Sequence, residues 1–565
     1  MKLDYKKTIK VGLAFAIVMV FWTAYDYVVP LLLEDAFGLS NTMRGLIMGL
    51  DNLLSLFMLP LFGKISDKTM TKYGRRTPFI VIGTLLSVLL MIFIPVTAVN
   101  SLNEASDLRS EITVTYAEGY SYEAADGTVY DAESLYTYIY GLGATNTDYC
   151  DYSYMSKNDI NSLADYLEVA LNPFEVDADG CVIYDEDGEA SYTTEYNNFV
   201  ISGLNAFASQ EVNTKITTEN PMRIVVYMVI LFFVLMAMAT FRSPAVALMP
   251  DVTPKPLRSQ ANAMINLVGG VGGAIAFLIY TIVFMINPTG YVMIFGLVAL
   301  SMVLLLVAFL LLVKEKKLVA ENVAICEEYG ITDEEDEEVA ETNDKEAQTT
   351  IVETKMDKAK RKSFLLILAS IFMWFMGYNA ISSNLSIYLT TTLNLSSGLG
   401  GIISGISMGI SAIAFIPVGV LAVKIGRKKS IILGFILSTI AFLMIYLFAS
   451  SPNAAAMYLF TVFYLISGFG LIITNVNTFP MVVELSTNST VGKYTGYYYT
   501  ATMSAQAITP FIAGVIMDAF GNSSLFIYST ICVILAIVCM ALVKHGDSKA
   551  LPSANKLEMF ADAAD

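Results

Sequence analysis

The chain has 565 residues, 55% of them hydrophobic and 15% charged, with a mean hydropathy of +0.60. These values are too apolar and too charge-poor for a water-soluble globular protein and point to a bilayer. A formal charge of −17 excludes a nucleic-acid binder held by phosphate contacts. A single histidine, His545, excludes a histidine metal site or His-centred triad, and five cysteines without a Cys-x-x-Cys pair argue against a zinc or thioredoxin-like centre. No metal and no cofactor is therefore expected, and no enzyme activity.

Twelve apolar stretches are long enough, or nearly so, to cross about 30 Å of hydrocarbon. They fall at 11–33, 43–62, 78–99, 222–245, 262–286, 290–313, 364–391, 398–423, 430–450, 455–480, 494–518 and 524–544. None alternates as a barrel strand does, so all are expected to be helices. The first stretch carries Asp26 and has no small-x-small cleavage site before the next, which argues against a signal peptide. Lys and Arg cluster before the first span and in the 2–3, 4–5, 8–9 and 10–11 loops, and are missing from the short loops after spans 5, 7, 9 and 11. This bias places both termini in the cytoplasm, and the expected location is the plasma membrane.

The expectation is an all-α membrane protein of twelve transmembrane helices in two six-helix repeats, interrupted by an extracytoplasmic α/β insertion between helices 3 and 4. Residues 1–99 and 222–313 form the N-terminal bundle, 100–221 the insertion, 314–362 a disordered cytoplasmic linker, 363–545 the C-terminal bundle and 546–565 a cytoplasmic tail. The halves echo each other. LIMGLDNLLSLFMLPLFG, ending at Gly63, aligns without a gap to IISGISMGISAIAFIPVG, ending at Gly419, and each leads to a basic turn, Gly74-Arg75-Arg76 and Gly426-Arg427-Lys428-Lys429. A further echo joins LMPD, ending at Asp251 and followed by Arg258, to MVVE, ending at Glu484 and followed by Lys493. Paired six-helix repeats around a midplane site describe one large class of secondary transporters.

PLFGKISDKTMTKYGRRTPFIVIG (60–83) resembles the 2–3 loop of the major facilitator superfamily, and of its glycoside/cation and sucrose/proton symporters in particular. Five residues, Thr69 to Tyr73, separate Lys68 from Gly74, as in the sugar-symporter branch, where the wider superfamily has one. FRSPAVALMPDVTPKPLRSQANA (241–263) is similar to that branch's 4–5 loop. The resemblance covers the spans and not the insertion. It implies a major facilitator fold that symports a sugar or glycoside with a proton or Na⁺ by alternating access. The expected partners are the solute and the lipid bilayer, and the expected state is a monomer.

Ionisable side chains within spans are costly and point to function. Asp26 and Asp51 lie mid-span in helices 1 and 2, whereas the repeat register puts Ser382 and Ser407 opposite them. Carboxyls in a low dielectric can cycle between neutral and ionised as water access alternates, so both are expected to bind the coupling cation. The bland readings are a fixed partner of Arg242 for Asp51 and a wetted cavity acid for Asp26. Asp67, Arg75, Arg76, Asp251 and Arg258 are read as a cytoplasmic gate, with Glu484 and Lys493 serving the other half; plain topogenic charge is the alternative. Flat aromatic faces and amides suit a neutral polyhydroxylated solute. The contact candidates are Trp22 and Tyr25 on helix 1, Asn52 and Arg242, Trp374, Tyr378 and Asn379 on helix 7, Asn475 and Asn477 on helix 10, and Tyr498 and Gln506 on helix 11. Small residues at Gly401, Gly405 and Gly409 and at Gly269 and Gly273 read as close helix packing.

The insertion holds 23 Asp+Glu, 3 Lys+Arg and 14 Tyr, a net −20 that exceeds the charge of the whole chain. Alternation at 113–116 and 181–184, with acidic turns at 177–180 and 185–188, reads as short hairpins, and 156–171 as a capped amphipathic helix. Cys150 and Cys181, the two cysteines here, are the candidate disulfide. The insertion is read as a folded cap that pre-selects solute or meets an extracytoplasmic partner. Two rival functions stay open: a carrier or exporter of another small neutral solute, and a surface binding or sensing protein acting through residues 100–221.

Overall fold

Long apolar runs become long helices. The computed structural model describes residues 3–184, 188, 190–254, 257–329, 358–406, 425–450, 454–485 and 491–545. Among these, eleven helices are long and apolar enough to cross a membrane. The chain opens with α1 (Tyr5–Phe37), started by the Asp4 carboxylate accepting from Lys7 N and stopped by Gly38 in the left-handed region at φ 56°. Helix α2 (Asn41–Lys68) is capped by Ser40, and α3 (Thr77–Met91) takes Pro78 in its first turn. Helix α4 (Phe93–Thr113) continues the line of α3 past the expected end of the third span.

The insertion begins on that overrun. A two-stranded antiparallel hairpin, β1 (Tyr122–Glu123) and β2 (Val129–Tyr130), is followed by α5 (Ala132–Leu142), α6 (Tyr152–Ser156), α7 (Leu163–Ala170), α8 (Thr194–Phe199) and α9 (Ile201–Val212), with a π-turn at Asn213–Thr218. Its hydrophobic core is rich in tyrosine: Tyr122, Tyr130, Tyr136, Tyr166 and Tyr196 are buried with Leu135, Ile139 and Phe207. A ring with a hydroxyl can fill a small core and still pair its polar end. The Tyr136 hydroxyl bonds those of Thr115 and Tyr196, and Tyr122 donates to buried Glu211 at 2.7 Å.

Several expectations for this region need correcting. Thr113 ends α4 and is followed by a turn, not a strand. The helix expected at 156–171 starts at Leu163, because a turn with Asp159 at φ 65° intervenes and Ser162 with Asp165 forms the capping box. The hairpin around the 177–180 turn is reduced to a single bridge, Val176 to Val182, and a second, Tyr184 to Ala190, flanks positions 185–188, of which 185–187 lie outside the described residues. Cys150 and Cys181 are not bridged: Cys150 is buried in the tyrosine core, whereas Cys181 is exposed on the hairpin.

The N-terminal half resumes with α10 (Pro221–Asp251), α11 (Arg258–Ile286) and α12 (Tyr291–Leu312), which share one core with α1 to α4. The segment after α12 departs from the expected disordered linker: α13 (Glu315–Glu328) is a helix held against this half. The Glu315 carboxylate accepts from the backbone N–H groups of Arg75 (2.7 Å), Arg76 (3.0 Å) and Thr77 (2.7 Å) and from the Thr77 hydroxyl (2.7 Å). It thereby satisfies the orphan amides at the start of α3. Gly74 makes room, since at φ 123° its Cβ would stand 2.3 Å from that carboxylate. Asn322 Nδ2 donates to Asp251 O, and Lys7 Nζ to Leu318 O.

The C-terminal half comprises α14 (Lys358–Ile387), α15 (Ser397–Ile406), α16 (Arg427–Phe448), α17 (Ala454–Val483), α18 (Val491–Phe520) and α19 (Ser524–Ala541), around a second core. The rest of the eighth expected span with Gly409, residues 330–357 of the linker and the tail from 546 lie outside the described residues.

The halves meet along α2 and α18 and along α11 and α15. Glycines set the spacing: a Cβ on Gly45 would lie 2.0 Å from Pro510 O, on Gly514 2.2 Å from Asn41 O, and on Gly405 2.0 Å from the Phe277 ring. At the insertion end the Asp518 carboxylate accepts the N–H groups of Asn41 and Thr42, both at 2.8 Å, and Tyr27 donates to Ser397 O at 2.7 Å.

Glu315→Ala leaves at least three backbone donors unpaired in a buried place and should cost about 3 kcal/mol. The expected result is a lower melting temperature in detergent, and an unchanged one would contradict the capping role.

Candidate functional site

Helix α1 runs through the middle of its half. From Ala24 to Leu33 every residue is buried except Asp26, so this carboxyl opens on a cleft within the bundle. Asp51 on α2 is buried and accepts from Asn52 Nδ2 at 2.8 Å. Arg242, from α10, lies between them electrostatically: it is in coulombic reach of both acids, its guanidinium stands 5.0 Å from the Trp22 ring centre, and it donates to Ser55 Oγ at 3.5 Å. Among the described residues Arg242 makes no direct ion pair with either acid. The fixed Arg242–Asp51 pair considered from the sequence is therefore not formed, and one cation is shared at a distance by two carboxyls.

The aromatic neighbours complete this cluster. Trp22 meets Tyr25 edge-on at 5.4 Å, and Tyr25 stacks on Phe21 at 5.7 Å. Trp22 Nε1 and the hydroxyls of Tyr25 and Tyr227 are buried without a hydrogen-bond partner. Buried polar atoms are nearly always paired, so three unpaired ones beside two carboxyls mark a place where water or solute belongs.

The cluster extends across the seam through residues that sequence reasoning missed. Tyr280 of α11 stacks on Tyr27 at 4.5 Å, bonds Ser404 of α15, and is in electrostatic reach of Asp26 and of Tyr464 on α17. Tyr464 in turn bonds Tyr378. Tyrosine is common in this chain, and neither Tyr280 nor Tyr464 sits in a motif or beside a charge, so only the packing reveals them.

The C-terminal candidates divide. Tyr378 belongs to the rung just described, and Asn379 Nδ2 and Asn475 Oδ1 are buried without partners, as amides that face a solute path are. Gln506 is half-buried. Three others are packed into their half. Trp374 is fully buried between Tyr378 and Phe435, with ring centres at 5.6 and 5.1 Å, and its Nε1 is without a hydrogen-bond partner. Asn477 spends its amide on Ile473 O of its own helix, and Tyr498 packs edge-on against Phe479.

The charged residues at the other end of the bundle are braces within each half. Asp251 receives Arg75 (3.1 and 2.6 Å) and Arg76 (2.8 Å), and Arg76 also pairs with Asp67. Arg258 caps α10 through Pro250 O and Thr253 O and pairs with no acid among the described residues. In the second half Glu484 pairs with Arg427 at 2.8 Å, the equivalent of the Arg75–Asp251 brace. The Lys493 side chain lies outside the described residues.

A family model described as Major Facilitator Superfamily matches residues 216–481 and 367–561, and one described as MFS/sugar transport protein matches residues 11–108. Among solved structures, the fold is similar to a bacterial homolog of the human lysosomal transporter Spinster in an inward-facing, occupied conformation (TM-score 0.55, 11% identity, 96% of this chain and 97% of that one). It is also similar to a D-xylose-proton symporter (TM-score 0.52, 14% identity, 96% and 98%) and to the inward-open xylose transporter XylE from E. coli (TM-score 0.51, 12% identity, 98% and 99%). At such identities the likeness is one of fold. No protein of curated function matches the chain.

The two tryptophans give a direct check. With Trp374→Phe, the remaining Trp22 emission should be quenched by iodide in detergent; with Trp22→Phe, the buried Trp374 should resist quenching and emit further to the blue. Equal quenching of both would contradict the placement of Trp22 beside a wetted cleft.

Proposed function

The chain belongs to the major facilitator superfamily, and from that premise we propose that it is a cation-coupled symporter that carries a sugar or glycoside inward by alternating access. The observation that carries this reading is the cluster of Asp26, Asp51 and Arg242 with the unpaired polar atoms of Trp22, Tyr25, Asn379 and Asn475 on the facing halves. Amides, an indole N–H and a phenol are hydroxyl-recognising groups, and Trp22 offers a flat face for a sugar ring. One shared cation is too few for a solute with two or more negative charges.

In the proposed cycle the coupling cation, H⁺ or Na⁺, loads Asp26 and Asp51 from the outside and lowers the cost of their negative charge beside an apolar core. Solute then binds between the halves, and the halves rock about the α2–α18 and α11–α15 seams. An inside-negative potential of 100 mV supplies about 2.3 kcal/mol per charge, sufficient for roughly 50-fold accumulation. The tyrosine rung from Tyr280 to Tyr464 and Tyr378 gives the cation-binding half a polar contact with the solute-binding half. In this orientation both termini and the braces are cytoplasmic, the membrane is the plasma membrane, and the insertion stands outside.

Asp26→Asn and Asp51→Asn should each abolish uphill uptake in vesicles with an imposed H⁺ or Na⁺ gradient while leaving solute exchange intact. Screening a panel of sugars with both gradients identifies the solute and the ion together. Full accumulation by both variants would defeat the coupling role, and a wild-type chain that accumulates no sugar under either gradient would defeat the substrate class.

A further inference from the structure

The insertion is rooted in one half and bonded to the other. Both of its stems, α4 and α9 with the π-turn, pack against α1, where Arg109 donates to Glu34 O (3.0 Å), Asn213 to Phe37 O (3.3 Å) and Thr217 to Phe37 O (2.7 Å). On its far side the loop Asn146–Thr147–Asp148 reaches the turn between α18 and α19. Thr147 Oγ1 donates to Phe520 O at 3.2 Å, Asn522 N donates to the Asp148 carboxylate at 2.8 Å, and Asn146 Nδ2 lies 3.5 Å from Asp518 O. Gly521, at φ 88°, permits the approach, because a Cβ there would sit 2.2 Å from Thr147 Oγ1. The loop is braced from within by Asp148 N donating to Asn146 Oδ1 at 2.8 Å. Behind it lies a cavity of about 580 Å³, roofed by the insertion and floored by the mouth residues Asn41, Arg44, Thr391 and Asn522 of both halves.

We propose that the 146–148 loop is a latch that holds the two halves shut at the insertion end and must release each time that end opens. The proposal rests on the alternating-access reading above. A folded body carried by one half and hydrogen-bonded to the other resists their separation, and here the resisting bonds sit beside the Asp518–Asn41/Thr42 contact that closes the same end.

The latch is also sensitive to acid. Asp148 is faced by Asp518 on α18, Arg44 on α2, Tyr388 after α14 and its own neighbour Tyr149. Burial, with the like charge of Asp518 adding to it, raises the Asp148 carboxyl to about 7 despite the Asn522 N–H and Arg44, which act in the other direction. A group whose pKa is higher when docked than when free takes up a proton on docking. The latch is thus tightest in acid and weakens as pH rises through about 7.

The test uses the full chain with Cys181, Cys326 and Cys539 replaced by Ser and spin labels at exposed positions of the insertion and the C-terminal half, through Thr137→Cys and Phe448→Cys. In lipid nanodiscs without solute, the short label distance should dominate at pH 6, and the ratio of long to short distance should rise about tenfold at pH 8. Thr147→Ala with Asp148→Ala should enrich the long distance at both pH values, whereas Asp148→Asn, which keeps an acceptor without charge, should remain short at both. Distance distributions that are the same in the parent and in the double alanine variant, at both pH values, would overturn the latch. The labels read the mouth directly, so a wild-type chain that fails to accumulate sugar would sink the symport reading and leave this result to stand or fall separately.

Discussion

A carboxylate on one half holds a helix start on the other. Asp518 accepts the first two amides of α2, placing a negative charge where the orphan N–H groups and the helix dipole favour it. The contact needs the two backbones almost touching, which Gly45 and Gly514 allow. Much of the architecture at that end depends on it: the line of α2, the position of the α18–α19 turn, and the surface on which the insertion rests. A bond of this kind is strong when made and leaves amides exposed to water when broken, so it suits an interface with two states better than a permanent core.

The interior obeys a different constraint. Apolar helices supply no solvation for charge, yet Asp26, Asp51 and Arg242 sit together in the first half. The close contacts are to neutral groups, Asn52 on Asp51 and Ser55 and the Trp22 ring on Arg242, and among the described residues the arginine makes no tight pair with either acid. A locked ion pair would be cheaper to bury and useless for coupling. Among the described residues the facing half contributes amides and phenols to this cluster and no charge, in keeping with the serines that stand opposite Asp26 and Asp51 in the repeat.

The repeats, the helical spans and the acids of helices 1 and 2 were readable from the chain because each is a local signal: a run of apolar residues, a register, a charge where none should be. Asp251 with Arg75 and Arg76 was readable as a group because the motif brackets it. Its purpose was not, since bracing within a half and gating between halves use the same residues and differ only in where the partners stand. Trp374 shows the opposite limit, for an aromatic near an amide fits a sugar site and a packed core equally well: its ring packs on Phe435 while its Nε1 stays unpaired. Glu315 was hidden in a charged segment that reads as solvated linker, and Asp518 at the edge of a span reads as the end of a helix. Long-range capping has no signature in a single sequence.

Glu315 also bears on how the halves are joined. It comes only a few residues after the last helix of the first half and caps the first turn of α3 from there. Every group that the Glu315 cap joins thus lies within the first 315 residues, and none of them belongs to the second half. The anchored helix makes the first half self-contained at this end, so the chain that leads to the second half departs from a fixed point on the first.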